Sequence, residues 1–148
     1  MGELRIRPTG HIISSGVIGF ILACYFRSLP CGLVFILAGT LIDLDHISDY
    51  YVNRKFTFNF KRIYSACEDM SLDTLYLVMH SYELVALLWA LIVIFSLGKV
   101  WVCAASGITV HLLVDQVTNP VRPLAYFFTY RWINKFESDK FLIRKKGR

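Results

Sequence analysis

The chain has 148 residues, a formal net charge of +5, and a composition that is 55% apolar and only 18% charged. This length predicts a single domain. A soluble domain of this size has too little interior to cover so much apolar surface. The composition therefore argues against an ordinary soluble protein and predicts an all-α integral membrane protein. The four cysteines form no C-x-x-C pair, which argues against a disulfide framework or a cysteine-based zinc site.

Four apolar stretches follow one another along the chain, at about 11–29, 31–46, 75–97 and 100–118. About 20 helical residues cross a hydrocarbon core of ~30 Å, so the first and third stretches are long enough, and the other two reach across with their polar ends in the interface. Tight turns at 30–32 and 98–99 predict antiparallel hairpins. The sequence therefore predicts a bundle of four transmembrane helices in one domain, residues 1–148. We expect the first helix to be a membrane anchor and not a cleaved signal peptide.

Two polar segments complete the predicted topology. The loop at 47–73 is long, polar and aromatic, and a tail begins after Asn119. Pro120 and Pro123 end the fourth helix. The aromatic stretch that follows predicts an interfacial segment at about 121–136. The basic residues at 144–148 close the tail, and we expect the tail to contact anionic lipid head groups.

The basic residues predict the orientation of the helices. Of the 16 lysines and arginines, 14 lie in the N-terminal segment, the 47–73 loop and the tail, while Arg27 and Lys99 lie at the tight turns. Under the positive-inside rule, this distribution places both termini and the long loop in the cytoplasm. The predicted location is the inner (plasma) membrane, with multiple passes.

All the histidines and the membrane-depth carboxylates lie at the predicted cytoplasmic ends of the helices. The histidines are His11, His46, His80 and His111, and the carboxylates are those of Asp43, Asp45, Glu83 and Asp115. A carboxylate within a transmembrane helix costs on the order of 2.5–3.5 kcal/mol by insertion scales, so such a group requires pairing, hydration or a metal. This one-sided distribution predicts a polar site at one face of the bilayer.

The spacing of these residues favours a metal centre. Three pairs lie three or four residues apart and therefore share a helix face: Asp43 with His46, His80 with Glu83, and His111 with Asp115. Metal sites in helical bundles use such inward-pointing carboxylates and histidines. These donors suit one or two divalent ions, zinc first, with manganese and iron as alternatives. Asp45 is out of phase, which favours a supporting role. A metal-free polar network or an ion pathway remains the alternative.

The ordered motifs resemble a known family. A histidine that opens the first helix, then LIDLDH, MHS and HLLVDQVTNP, cover about residues 9–124. The pattern is similar to that of bacterial and archaeal membrane-bound metal-dependent hydrolases, also described as LexA-binding inner-membrane hydrolases. That family is grouped with the zinc phospholipase C and nuclease superfamily, whose metal-binding helices also use H-x-x-x-D. The resemblance implies metal ligands, or their near neighbours, at His11, Asp43, His46, His80, His111 and Asp115.

The chain departs from the family pattern before its third helix. Family members usually carry H-R-G a few residues ahead of the histidine motif, where this chain has Leu75, Tyr76 and Leu77. Glu83 lies one helical turn after His80. Two interpretations follow: Glu83 replaces the missing ligand, or the site holds fewer metal ions.

These patterns suggest a metal-dependent hydrolase that acts on a phosphoester, such as a lipid-linked phosphate, at the cytoplasmic membrane face. A metal would activate water, and the general base would be Asp45, Glu83 or Asp115. Bidentate arginine contacts suit a substrate phosphate. The candidate substrate-binding residues are Arg54, Arg122, Arg131 and Asn119.

Two other functions fit the same sequence. The first is ion- or metal-coupled transport, although a transport path needs polar residues in both halves of the bilayer and the segment 87–97 is almost purely apolar. The second is a non-catalytic membrane scaffold that binds a partner through its basic tail. The expected partners are membrane lipid, a lipid-phosphate substrate and a second copy in a homodimer, with no nucleic acid.

Overall fold

The computed structural model describes residues 8–68 and 71–143, apart from the side chains of residues 8–12, 14 and 68. Within these ranges the chain is all-helical, which confirms the predicted class, and β pairing is limited to two isolated bridges. The helices are α1 (Pro8–Tyr25), α2 (Leu29–Leu41), α3 (Leu44–Asn53), α4 (Phe60–Glu68), α5 (Tyr82–Ile94), α6 (Lys99–Thr118) and α7 (Phe128–Ile133), with a single 3-10 turn at Ser138–Lys140.

The chain divides into two compact units, each made of two separate chain segments. Unit 1 comprises Met1–Ile42 and Tyr82–Asn119, and unit 2 comprises Asp43–Ser81 and Pro120–Arg148. Helices α1, α2, α5 and α6 belong to unit 1, and α3, α4 and α7 belong to unit 2. The predicted transmembrane stretches therefore contribute most of unit 1, while the predicted loop and tail form unit 2.

Two helical stretches in the described residues are long and apolar enough to cross a membrane. They are Leu29–Asn53, in which α3 follows α2 after a two-residue break, and Lys99–Thr118. Two further apolar helices, Ser15–Tyr25 and Tyr82–Ile94, are shorter. A helix the length of α5 extends about 20 Å, less than the ~30 Å hydrocarbon core. Two helices thus meet the length criterion where four were predicted.

The helices of unit 1 leave large apolar side chains exposed. Leu29, Leu33, Leu37 and Leu41 recur every four residues along one face of α2 and are all about half exposed or more. Residues four apart share a helix face, so these leucines form a continuous apolar stripe. Contiguous apolar surface of this kind is uncommon on soluble monomers and marks a surface for lipid or protein.

Glycines bring the helices of unit 1 into close contact. A Cβ atom on Gly39 of α2 would lie 3.1 Å from the carbonyl oxygen of Gly107 in α6, and a Cβ on Gly107 would clash with the carbonyl oxygen of Phe35. Gly19 of α1 and Gly32 of α2 are equally close, because a Cβ atom on either residue would clash with the carbonyl oxygen of the other. Small residues at helix contacts are typical of membrane helices, which associate by backbone approach.

Unit 2 has a hydrophobic core of its own. Its buried members are Tyr50, Ile63, Leu72, Leu75, Leu77, Ala125, Phe141 and Leu142. The core residues come from α3, from α4, from the non-helical segment between α4 and α5, and from the non-helical segments on either side of α7. The segment 47–73, predicted as a polar loop, thus contains the second half of α3 and all of α4. The sequence signal was weak because both helices are short and only a narrow face of each is apolar.

Two helix boundaries differ from the prediction. The expected helix at 31–46 ends at Leu41, and a new helix begins at Leu44, with Asp43 as its N-cap residue. The expected helix at 75–97 begins only at Tyr82. Residues 75–81 are not helical because their backbone groups bond to side chains of α3 and α7, as described below. His80 therefore lies in a loop and not in a helix.

Candidate metal centre

His80 lies between two carboxylates of unit 2. Its Nε2 atom is 3.5 Å from Oδ1 of Asp43, and its Nδ1 atom is 3.5 Å from Oδ2 of Asp45. The imidazole is completely buried, whereas the Asp43 side chain is 35% exposed. A proton on Nδ1 would face Asp45 and leave the Nε2 lone pair directed toward Asp43. A metal-binding histidine is commonly held in this way, with a carboxylate behind its second nitrogen.

Asp45 also holds the backbone around His80. Its Oδ2 atom accepts the N–H of Met79 at 2.6 Å and the N–H of His80 at 3.3 Å. One carboxylate oxygen thus contacts both the main chain and the ring of the same histidine. Asp45 is therefore positioned to support His80 without itself being a metal ligand.

Two more residues of α3 extend this arrangement along the loop. Asp45, Asp49 and Asn53 are spaced four apart and therefore lie on one face of α3. Oδ2 of Asp49 accepts the N–H of Leu77 at 3.1 Å, and Oδ1 of Asn53 accepts the N–H of Thr74 at 2.8 Å. Asp49 is only 2% exposed, so it is a buried anchor for the loop and not a solvated helix end.

Arg131 of α7 binds the carbonyl groups of the same loop. Its Nε atom donates to Tyr76 O at 3.1 Å, Nη2 donates to Leu77 O at 2.8 Å, and Nη1 donates to His80 O at 3.1 Å. Nη1 also donates to Ala125 O at 2.6 Å. The side chain is fully buried. Arg131 therefore has a structural role: α3 binds the N–H groups of the loop and Arg131 binds its carbonyls.

His46 and Cys67 lie near this loop within unit 2. The rings of His46 and His80 meet edge to face, with centroids 4.9 Å apart. The Cys67 thiol donates to the carbonyl oxygen of His46 at 3.6 Å. Burial, with the nearby charges of Asp49 and Asp43, raises the pKa of Cys67 to about 11. The thiol is therefore protonated near neutral pH, whereas a metal ligand would be a thiolate.

The second predicted histidine pair lies in α6 of unit 1. Nε2 of His111 is 3.4 Å from Oδ2 of Asp115, and both side chains are buried. The four-residue spacing places them on the same helix face, as predicted from the sequence. One turn farther along, the N–H of Asn119 donates to the carbonyl of Asp115 and ends the helix.

Two side chains of unit 2 offer ligand atoms close enough to hold a metal ion together: Asp43 and His80. The histidine is buried and the aspartate is partly buried. Two ligands that each lie about 2.0–2.1 Å from a tetrahedral zinc ion are about 3.4 Å apart. The 3.5 Å between His80 Nε2 and Asp43 Oδ1 matches that separation. Imidazole and carboxylate are also donors that zinc accepts.

The other predicted site residues lie in varied positions. Glu83 is in the first turn of α5 and partly buried. Arg54 pairs with Asp73 at 3.4 Å, and Arg122 is exposed. His11 lies within α1, but its side chain falls outside the described residues, as do residues 144–148.

Sequence reasoning missed the contribution of Asp49, Asn53 and Arg131 to the conformation of the loop. The signal was present for two of them, because Asp45, Asp49 and Asn53 repeat at four-residue intervals in a segment with few apolar residues. The role of Arg131 has little local signal, since three of the four carbonyls that it binds lie more than 50 residues earlier in the chain. Comparison with known proteins found no matching family profile, no matching curated protein and no matching solved structure.

Proposed function

We propose that this chain is a membrane-embedded, metal-dependent hydrolase of a phosphoester. The observation that carries the proposal is the pairing of Asp43 and His80 in unit 2, whose Oδ1 and Nε2 atoms lie 3.5 Å apart. The proposed third member of this group is His111, because the sequence places it on the same predicted cytoplasmic side. Three protein ligands with an open fourth position are the usual arrangement of catalytic zinc. The partly exposed carboxylate of Asp43 leaves one side of the group accessible to water and substrate.

The residues around this group have distinct roles in the proposal. A divalent ion bound there would lower the pKa of a water molecule and stabilise negative charge on phosphoryl oxygens. Asp45 orients His80 through Nδ1 and the backbone, so it is a positioning residue and not the general base. Asp115 and Glu83 are the remaining carboxylates for proton transfer. Asp115 is also placed to orient His111, from 3.4 Å away.

The membrane location is supported by two span-length apolar stretches and by the exposed apolar stripe of α2. We further propose that α1 and α5 are the other two members of a four-helix membrane bundle, with both termini in the cytoplasm. The glycine contacts among α1, α2 and α6 favour this arrangement. A lipid-linked phosphate is then the natural substrate class, and the resemblance to membrane-bound metal-dependent hydrolases points the same way.

The experiment is a metal analysis of the full-length protein purified in detergent without added chelator. We expect at least one equivalent of zinc, manganese or iron in the wild type, and a loss of most of it in His111→Ala and in Asp43→Asn. Asp73→Asn is the matched control, because Asp73 is an exposed acid outside the group. A wild type without stoichiometric metal, or a His111→Ala protein with full metal content, would contradict the proposed centre.

Activity is tested separately with the metal-loaded protein. We expect the wild type to hydrolyse a lipid phosphoester. A chelator should abolish this hydrolysis, and metal returned to the wild type should restore it. His80→Ala should abolish the hydrolysis as well. A protein that binds metal in the predicted way but cleaves no phosphomonoester or phosphodiester lipid would refute the hydrolase and retain the metal centre.

A further inference from the structure

A basic and aromatic segment of unit 2 lies outside the candidate metal centre. This segment, residues 54–64, begins at the residue after α3, runs without helix through 55–59 and enters α4. Its cationic residues are Arg54, Lys55, Lys61 and Arg62, and it contains no acidic residue. It therefore carries a local charge of +4 within 11 residues. These like charges repel one another unless solvent or an anionic partner screens them.

Three phenylalanines of the segment are strongly exposed. Phe56, Phe58 and Phe60 are 68%, 78% and 74% exposed. Phe56 stacks on Tyr51 with ring centroids 4.9 Å apart, and Phe58 meets Phe56 edge to face at the same distance. Phe56 and Phe58 thus form a continuous apolar patch with Tyr51, and Phe60 adds a third exposed phenylalanine to the segment. Aromatic rings beside lysine and arginine are typical of segments that lie in a membrane interface.

A basic groove lies beside the phenylalanines. It has a volume of about 470 Å³, and Arg54, Lys61 and Arg62 line it together with the hydroxyl-bearing residues Ser65 and Ser71. Arg54 is partly neutralised by Asp73, which is 3.4 Å away and 78% exposed. Guanidinium, ammonium and hydroxyl groups are the donors that bind phosphate oxygens.

The charge at the start of α4 supports an anionic ligand independently. Lys61 and Arg62 lie in the first turn of this helix, and no acidic residue lies there. The N-terminus of a helix carries a partial positive charge, so cations at this end are unfavourable. The side chain of Asn59 accepts the N–H of Arg62 and caps the helix without adding negative charge. A bound phosphate would offset both the side-chain charges and the helix dipole.

We propose that residues 54–64 form a binding site for anionic phospholipid, with the head-group phosphate in the basic groove and the three phenylalanines in the bilayer interface. The segment begins directly after Leu29–Asn53, a stretch long and apolar enough to span a membrane, and a segment in that position lies at the bilayer surface. The inference rests on the proposed membrane location but not on the metal centre. The groove is lined by none of the candidate metal ligands, so the lipid bound there would be a partner and not the hydrolysed substrate.

Membrane lipid is favoured over nucleic acid by the aromatic side chains. Single-stranded nucleic acid stacks its bases on aromatic rings along a positive groove. In this segment, however, the most exposed rings are phenylalanines, and two of them, Phe56 and Phe58, pack on each other and on Tyr51 through Phe56, beside a candidate membrane span. At a bilayer surface, acyl chains can bury such an apolar patch, and no nucleic-acid base is needed to cover it.

The test measures lipid binding to the full-length protein in detergent by native mass spectrometry, with phosphatidylglycerol and phosphatidylcholine as the two probes. We expect tighter binding of phosphatidylglycerol, and a loss of about fivefold or more in its affinity for Lys61→Glu, since each basic residue near an anionic surface contributes to binding at this level. Lys99→Glu is the matched control, because Lys99 is an exposed lysine outside both this segment and the tail. Phe58→Ser should weaken both lipids.

Several outcomes would overturn the inference. One is equal affinity for the two lipids, and another is an equal loss in Lys61→Glu and Lys99→Glu. Inorganic phosphate or a single-stranded oligonucleotide that displaces phosphatidylglycerol at matched concentration would identify a different ligand for the groove. Metal content is recorded on the same samples. Lipid selectivity in a protein without metal would support the lipid site while contradicting the metal centre, so the two failures are distinguishable.

Discussion

Oδ2 of Asp45 lies 3.5 Å from Nδ1 of His80 and also accepts the backbone N–H of the same residue at 3.3 Å. A single carboxylate therefore fixes both the main chain and the ring orientation of the histidine. The consequence is that Nε2 is directed toward Asp43, the other potential ligand in this part of the chain. Binding of a metal by His80 then depends on a residue that need not touch the metal.

Replacement of Asp45 by asparagine tests this dependence. The amide keeps the shape of the side chain but removes the negative charge that faces Nδ1, so the preferred tautomer and the basicity of His80 change. We expect metal affinity to fall by about 10- to 100-fold, as is typical for the loss of a supporting carboxylate. Competition with a fluorescent zinc chelator measures the affinity. Asp73→Asn should leave it unchanged, and an unaltered affinity in Asp45→Asn would remove Asp45 from the proposed centre.

Replacement of Arg131 by lysine tests the clamp on the loop. Lysine keeps the charge but cannot reach the carbonyls of Tyr76, Leu77, His80 and Ala125 together, and buried carbonyls without a donor are costly. We expect a loss of about 2–4 kcal/mol in the free energy of unfolding. Thermal unfolding in detergent gives the measurement. Arg62→Lys is the control at an exposed arginine, and equal stabilities for the two variants would show that the four bonds contribute little.

Replacement of Asn53 by alanine tests the other end of the same loop. The Asn53 amide receives the N–H of Thr74 and donates to the carbonyl of Thr74, each at 2.8 Å. Without it, we expect faster hydrogen exchange in residues 72–80 and unchanged exchange in α6. Asn59→Ala removes an equivalent side-chain bond at the start of α4. It should affect only α4, so acceleration of the loop in both variants would point to global destabilisation.

Replacement of Gly107 by alanine tests the close helix contact in unit 1. The new methyl group would clash with the carbonyl oxygen of Phe35 in α2. We expect a loss of about 1–3 kcal/mol in stability from overpacking, measured as a lower midpoint of thermal unfolding. Gly16→Ala is the matched control, because a Cβ atom there has no neighbour within 4 Å. It should leave the midpoint unchanged or raise it slightly, as alanine favours helix. A normal midpoint in Gly107→Ala would mean that α2 and α6 separate easily.

The sequence by itself determined the helical class and the fourth predicted helix, which runs over 99–118 in the structure against 100–118 expected. It also determined that His111 and Asp115 share a helix face. All three conclusions depend only on local apolar content and helical periodicity. The proximity of Asp43 and His80 is likewise predictable, because the sequence places both on the cytoplasmic side of the membrane, at the end of one helix and the start of the next.

Only the tertiary structure decided how His80 is held. The mostly apolar composition of residues 75–81 predicts a helix, yet many backbone groups there bond to Asp45, Asp49 and Arg131. Arg131 is buried, and three of the four carbonyls that it binds belong to residues more than 50 positions away. Helical periodicity describes neighbours within a few turns, whereas these bonds join distant segments. Their partners are therefore set by the fold of unit 2 and not by any local pattern.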